Sequence, residues 1–292
     1  MMDNYGFYTG KSFDAYEFFG CHTDENGAVF RVFAPAAVQI SVIGEFNGWQ
    51  DTPMNKIGDG NFWAVYIEGV KPGQMYKYKI YKPDGSCMDH CDPYGYGMEL
   101  RPASASIVRN LYGYEFQDDA WMKKRSNGVA SALNIYEIHA GSWKKPQNGW
   151  YRYDELATQL VPYLKEYGYN YIELLPIGEH PCDESWGYQC SGFYSPTSRY
   201  GTLDDYKKMI DILHHNDIGV IMDFVPVHFA LDAYALAKFD GTALYEYPHK
   251  DVGNSEWGSC NFMHSRGEVR SFLQSCANYW LKEYHVDGLR MD

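Results

Sequence analysis

Positive charge is in short supply in this chain. Its 25 Lys and Arg stand against 38 Asp and Glu, a formal net charge of −13 over 292 residues. Such a surface repels a phosphate backbone, which argues against nucleic acid and favours a neutral or cationic ligand. There is no run of about 18 apolar residues to span a bilayer, so no membrane partner is expected. The opening stretch MMDNYGFYTGKSFD is polar and acidic and carries no signal-peptide pattern. Cysteine is too scattered for a disulfide framework: seven, an odd number, at 21, 87, 91, 182, 190, 260 and 276. Reduced thiols of this kind suit a cytoplasm. The CMDHC stretch (Cys87, His90, Cys91) has no second ligand pair at suitable spacing downstream, so zinc is not expected there. Internal repeats and low-complexity segments are also missing.

What the chain does have is a core and a surplus of rings. Hydrophobic content is 45% with 22% charged residues, and the length suffices for two domains. Aromatic content reaches 17%, with 27 Tyr and 8 Trp. Most of these rings will pack in the core. Flat apolar faces with polar handles also suit sugar rings, so the surplus leans toward a carbohydrate ligand.

From about Ala28 to Val108, the runs AVFRVFAP, VQISVIGEF, NFWAVYIEGV and MYKYKIYKPDG are β-branched or aromatic and bounded by Pro, Gly and Asn. Their spacing predicts a β-sandwich. After Leu133 the texture changes. Strands ALNIYEIH, YIELLP, GVIMDFVPV and VDGLRMD alternate with helices predicted over Tyr153–Tyr167, Leu203–Asn216 and Glu268–Tyr284. Gly168 can end the first helix, and Thr202/Asp205 and Ser265/Glu268 have capping-box spacing at the starts of the other two. Val269, Phe272, Leu273, Cys276 and Trp280 share one face of the last helix. Strands alternating with helices, joined by long loops, predict parallel α/β units. A (β/α)8 barrel needs eight strands, and four are here. The expected fold is therefore an N-terminal β-sandwich (residues 1–120) followed by the first half, about four βα units, of a TIM (β/α)8 barrel (residues 121–292).

Side chains alternate along a strand, so Arg290 and Asp292 point to one side at the C-terminal end, where such barrels keep their active sites. An adjacent guanidinium holds a carboxylate ionised, as a nucleophile in glycosyl transfer requires. An Arg-x-Asp alone is more often a structural salt bridge. Asp223 lies near the end of the preceding apolar strand, where a carboxylate needs a partner, and His228 follows in the loop. The loop ESWGYQCSGFYSPTSRYG carries Trp186, Tyr188, Phe193, Tyr194 and Tyr200 without helical periodicity. These rings either form the loop's own small core or serve as stacking platforms.

Placed on successive strand ends, DFVPVH, DGLRMD, ELLPIGEHPCDESWGYQ and YSPTSRYGT closely resemble glycoside hydrolase family 13, the α-amylase superfamily. Within it, IYEIHAGSW, VPVHFA, ALAKFDGTALYEY and DPYGYGMELRP resemble the glycogen branching enzymes. FRVFAPAAVQISVIGEFNGW with GQMYKYKI is similar to the family 48 carbohydrate-binding module. The resemblance runs from about Tyr16 to Asp292.

It implies a glycosyltransferase of glycogen biosynthesis that cleaves α-1,4-glucan and moves the segment to a 6-hydroxyl by a retaining double displacement. Asp292 would be the nucleophile and Arg290 its orienting partner. Asp223, His228, Tyr188 and Trp186 would contact substrate, and Trp49 and Lys77 a remote glucan strand. The partner would be an α-glucan such as glycogen, the location cytoplasmic, and the complete enzyme a monomer. Where most relatives in the superfamily carry a calcium-binding Asn before the His, this chain has Val227, so no calcium and no other cofactor is expected.

Retention requires a second carboxylate roughly 5–5.5 Å from the first. In this family that residue is a Glu after the fifth strand, which this chain does not reach. The expectation is of a truncated chain, inactive alone, with open strand edges that promote aggregation. Two other readings stay open. One is a debranching enzyme of isoamylase type or a trehalohydrolase on the same scaffold. The other is a non-catalytic glucan-binding protein that works through the sandwich.

Overall fold

The computed structural model describes residues 2–125 and 132–292. A short helix, α1 (Asn4–Thr9), comes first. Then come β1 (Gly20–Thr23), β2 (Gly27–Phe33), β3 (Gln39–Gly44), β4 (Thr52–Pro53), β5 (Asn55–Ile57), β6 (Phe62–Glu68), β7 (Met75–Tyr81), β8 (Cys87–His90) and β9 (Ser106–Ile107). One antiparallel sheet runs β1-β2-β6-β5, the other β4-β3-β7-β8 with β9 also on β7. The expected sandwich is present. Strand alternation sets its faces: Tyr76, Tyr78 and Ile80 of β7 are buried, while Lys77 and Lys79 between them turn outward.

The second part begins with α2 (Asp119–Lys124), β10 (Ile135–Ile138), α3 (Tyr153–Tyr167), β11 (Tyr171–Leu174), β12 (Gly178–Glu179) and β13 (Gly192–Pro196). It continues with α4 (Leu203–His215), β14 (Gly219–Phe224), β15 (His228–Ala230), α5 (Lys250–Gly253), β16 (Ser259–Asn261), α6 (Gly267–Glu283) and β17 (Gly288–Met291). A parallel sheet runs β10-β11-β14-β17, the barrel strands in the expected order. Ile138, Ile172, Leu174, Val220, Met222 and Phe224 are buried on one side of it. Glu137, Glu173, Asp223 and Arg290 alternate onto the other side, which would be the inside of a barrel. Pairs β12–β13 and β15–β16 are antiparallel hairpins within the long loops that follow β11 and β14.

Two helix boundaries follow the expected chemistry. Gly168 takes φ +74° and ends α3. At α4, Thr202 Oγ1 accepts from the Asp205 amide at 3.3 Å, and Asp205 Oδ2 accepts from the Thr202 amide at 2.7 Å. The Ser265/Glu268 box does not form. Helix α6 starts at Gly267 with Arg266 at the N-cap and no side-chain cap bond. The cause is tertiary. The Tyr8 carbonyl lies 1.8 Å from where a Cβ on Gly267 would sit, so α1 docks directly on the helix start. The contact continues down α6: Ser271 Oγ donates to the Phe7 carbonyl at 2.8 Å, and Ser275 Oγ accepts from the Tyr16 amide at 3.0 Å.

Aromatic side chains join the segment that follows β8 to β13 and α6. Tyr94 packs on Tyr194 with centroids 4.9 Å apart, and Tyr96 stacks on Tyr279 at 5.5 Å. Nearby, Asp92 is buried and accepts from Tyr76 and Tyr78 hydroxyls at 2.7 and 3.1 Å and from the Tyr94 amide at 2.9 Å. Burial pushes its carboxyl up to about 6, against those hydrogen bonds.

Two outcomes follow. Gly267→Ala should lower the melting temperature and make residues before Gly20 sensitive to protease, because the Tyr8 carbonyl must move. A raised carboxylate stabilises the fold below its unfolded-state value and loses that contribution as pH climbs through the folded one. Wild-type unfolding free energy, measured in urea, should therefore fall by about 2–3 kcal/mol more than that of Asp92→Asn between pH 4 and pH 7.

Candidate active site

Parallel register places Asp223 of β14 directly beside Arg290 of β17. Two residues on, Asp292 continues the ladder, its amide donating to the Phe224 carbonyl at 3.1 Å. The Arg290 guanidinium lies between the two carboxylates. Its Nη1 donates to Asp223 Oδ1 and Oδ2 at 3.1 and 3.2 Å and to Asp292 Oδ1 at 2.7 Å. Tyr188 completes the group, its hydroxyl donating to Asp223 Oδ2 at 2.6 Å.

The electrostatics differ from residue to residue. Asp223 is buried, and desolvation raises its carboxyl although the Tyr188 bond and the Arg290 charge oppose that. Burial, then the bond to Asp223, raises the Tyr188 phenol. The Asp292 hydrogen bond and the Asp223 charge hold Arg290 more firmly protonated than usual. Burial lowers His228, with the Asp292 charge opposing, and its Nδ1 has no partner among the described residues.

A hollow of about 520 Å³ opens over this group. Tyr188, His228 and Asp292 line it, together with Cys182, Glu184, Ser185, Gln189 and Trp257. Five of the residues expected at the site, Asp292, Arg290, Asp223, His228 and Tyr188, are thus brought together. Trp186 is not among them. It is exposed on the far side of the same loop, nearly parallel to His139 with centroids 6.2 Å apart. Phe193, Tyr194 and Tyr200 are buried, so for them the loop-core reading holds. In the sandwich, Trp49 is exposed with φ +60°, and Lys77 donates to Ser104 Oγ at 3.0 Å.

Trp257 was missed by the sequence reading. It is 73% exposed, its carbonyl accepts from Gln189 Nε2 at 3.0 Å, and it stands at the rim of the hollow. A Trp between Glu and Gly in the polar run GNSEWGSC was the available signal. Glu173 was missed as well. It sits on the inner face of β11, and burial, then Glu137 and Asp223, raise its carboxyl.

The loop that carries Tyr188 is pinned by buried charge. Arg199 Nη1 donates to Glu179 Oε1 at 2.6 Å, its Nη2 to Asp183 Oδ1 at 2.6 Å and to the His180 carbonyl at 2.9 Å. Arg101 pairs with Asp183 from the other side and, with Arg199, holds that carboxyl far below the usual range. Among the described residues, no group of three or more His, Cys, Asp or Glu is placed to hold a metal ion. In CMDHC, Cys87 is exposed on β8, whereas His90 and Cys91 are buried.

Removing Arg290 should leave Asp223 buried without its cation and raise its carboxyl further. Arg290→Met should therefore destabilise by about 1–3 kcal/mol, since Arg290 itself is partly exposed, and the loss should be larger at pH 8 than at pH 5. Urea unfolding at the two pH values checks this.

Comparison with known proteins bears on both parts. Residues 18–95 match the family model Carbohydrate-binding module 48 (Isoamylase N-terminal domain), and residues 156–251 match Alpha amylase, catalytic domain. The chain is 45% identical over 295 residues to a 1,4-alpha-glucan branching enzyme GlgB of Fusobacterium nucleatum, with 100% of this chain and 48% of that protein covered. It is 47% identical to the enzyme of the same name from Nitrosospira multiformis, covering 99% of this chain and 40% of that one. The chain thus spans about half the length or less of the curated relatives it matches. Among solved structures, a pullulanase from Paenibacillus barengoltzii superposes with TM-score 0.80 at 20% identity, over 100% of this chain and 50% of that one. One from Bacillus acidopullulyticus gives 0.74 at 22%, over 94% and 38%. Both likenesses concern the fold. The chain therefore joins a family 48 carbohydrate-binding module to part of an alpha-amylase catalytic domain, and along its whole length it is similar to the 1,4-alpha-glucan branching enzymes.

Proposed function

We propose that these residues supply the binding module and the nucleophile-bearing part of a 1,4-α-glucan branching enzyme. The observation that carries the reading is Arg290 held between Asp223 and Asp292 under a hollow that Tyr188 and His228 also line. Asp292 attacks the anomeric carbon of a glucosyl unit, the bond to the 4-oxygen of the next unit breaks, and a glycosyl ester forms on the carboxylate. A second carboxylate protonates the leaving oxygen and later takes the proton of the acceptor's 6-hydroxyl. None of the residues named in the hollow is given that role. The 6-oxygen then displaces Asp292 and leaves an α-1,6 branch. Arg290 aims Asp292 through its hydrogen bond to Oδ1. Tyr188 offers a ring face to the reacting sugar, while Asp223 and His228 take its hydroxyls.

The acidic surface agrees with a neutral polysaccharide substrate. The seven free cysteines agree with a reducing cytoplasm, and among the described residues no helix is long and apolar enough to cross a membrane. We assign residues 1–120 to the module and 121–292 to the catalytic part, with no calcium at Val227. Trp49 and Lys77 are the module's candidates for a remote glucan contact.

The test joins residues 1–292 to the remaining half of the Fusobacterium nucleatum relative and supplies amylose. The expected result is loss of the iodine colour without new reducing ends. Asp292→Asn should slow this by a factor on the order of 10³ or more while leaving the melting temperature intact. Reducing ends that rise in step with colour loss would identify a hydrolase instead.

A further inference from the structure

The loop Cys182–Tyr188 is a wall with two faces. Tyr188 faces the hollow over Asp292. On the other side lies a second hollow of about 280 Å³, lined by His139, Lys145, Trp150, Glu184, Trp186 and Tyr200 among others. Glu184 borders both.

Trp186 is the unusual member. More than half of its surface is exposed, at 56%, and its φ is +54°, a left-handed conformation that bulky residues avoid. Such backbone strain persists only where the surroundings impose it. Here Trp186 N–H is tied to the Asp183 carbonyl at 3.1 Å. The next residue, Gly187 at φ +93°, lies so close to β11's exit that a Cβ would meet the Pro176 carbonyl oxygen at 2.3 Å. The chain therefore spends strain to hold a large apolar ring in water. The opposite wall is fixed too: Trp150 lies with its ring centroid 6.0 Å from the Arg101 guanidinium, and His139 Nδ1 pairs with Ser142 Oγ at 2.9 Å. Indole faces beside an imidazole, a hydroxyl, an ammonium and a carboxylate match the faces and hydroxyls of a sugar ring.

The geometry points to this second hollow as a separate, non-catalytic glucosyl site that holds the acceptor chain against the far face of the wall carrying Tyr188. The inference rests on the α-glucan reading above. A transferase has to keep a second glucan beside the glycosyl ester and ahead of water. A hollow sharing one thin loop with the reacting site meets that need, with Trp186 gripping the acceptor and Tyr188 the donor.

Calorimetric titration of the 292-residue chain with maltotriose tests it. In the Trp49→Ala background, which removes the module's proposed contact from the count, two equivalents are expected to bind. Trp186→Ala should remove one and Trp186→Tyr restore it, while Tyr188→Ala removes the other. Lys145→Ala, on the opposite wall, should weaken the same equivalent as Trp186→Ala without lowering the melting temperature. A single equivalent that is lost in Tyr188→Ala and kept in both Trp186→Ala and Lys145→Ala overturns the second site and leaves the functional reading standing. No binding by the wild-type chain overturns both.

Discussion

The arrangement depends on one guanidinium with two carboxylates. Arg290 is placed by parallel register beside Asp223 and by strand alternation on the same side as Asp292. Asp223 is buried at the end of an apolar strand and would be costly to keep charged alone. With the Arg290 cation and the Tyr188 hydroxyl supplied, the same burial becomes a means of fixing both partners. The hydrogen bond that settles Asp223 also orients the Tyr188 ring, and the guanidinium that pairs with Asp292 is anchored on the buried Asp223.

Around that centre, rigidity comes from pairs chosen for geometry. Arg199 is nearly inaccessible and bonds Glu179, Asp183 and a carbonyl at once, so the loop bearing Tyr188 and Trp186 cannot swing without leaving a charge unpaired. The sandwich side is tied to β13 and α6 by tyrosine rings and by α1, which lies against the first turns of α6. Most of the aromatics pack in the core on either side, and some of them form that seam. Few rings remain for a ligand, and three of them, Tyr188, Trp186 and Trp257, stand around one loop and its neighbouring hairpin.

Local patterns foretold the elements well, because the period of β7 and the buried stripe of α6 are properties of a short stretch. The capping box at Thr202 was legible for the same reason. The one at Ser265 was not, since the docking of α1 on Gly267, far away in sequence, decides where α6 begins. The hairpins β12–β13 and β15–β16 hid inside long loops because their strands are too short to show alternation. Arg290 and Asp292 were legible from strand alternation, and Asp223 and His228 from their place at the end of an apolar strand, whereas their grouping with Tyr188 came from family resemblance. Trp186 was placed in the same group because sequence proximity to Tyr188 says nothing about which face of a loop a ring takes. Trp257 was overlooked because it approaches the hollow from a different connection.

A crystal structure of the chain grown with maltotriose tests the centre of this account most directly. A glucosyl ring should lie against Tyr188, with hydroxyls within hydrogen-bond distance of Asp223 and His228 and with Arg290 still bridging the two carboxylates. Saccharide found only on the sandwich, with the hollow over Asp292 empty, or Arg290 turned away from Asp223, would contradict it.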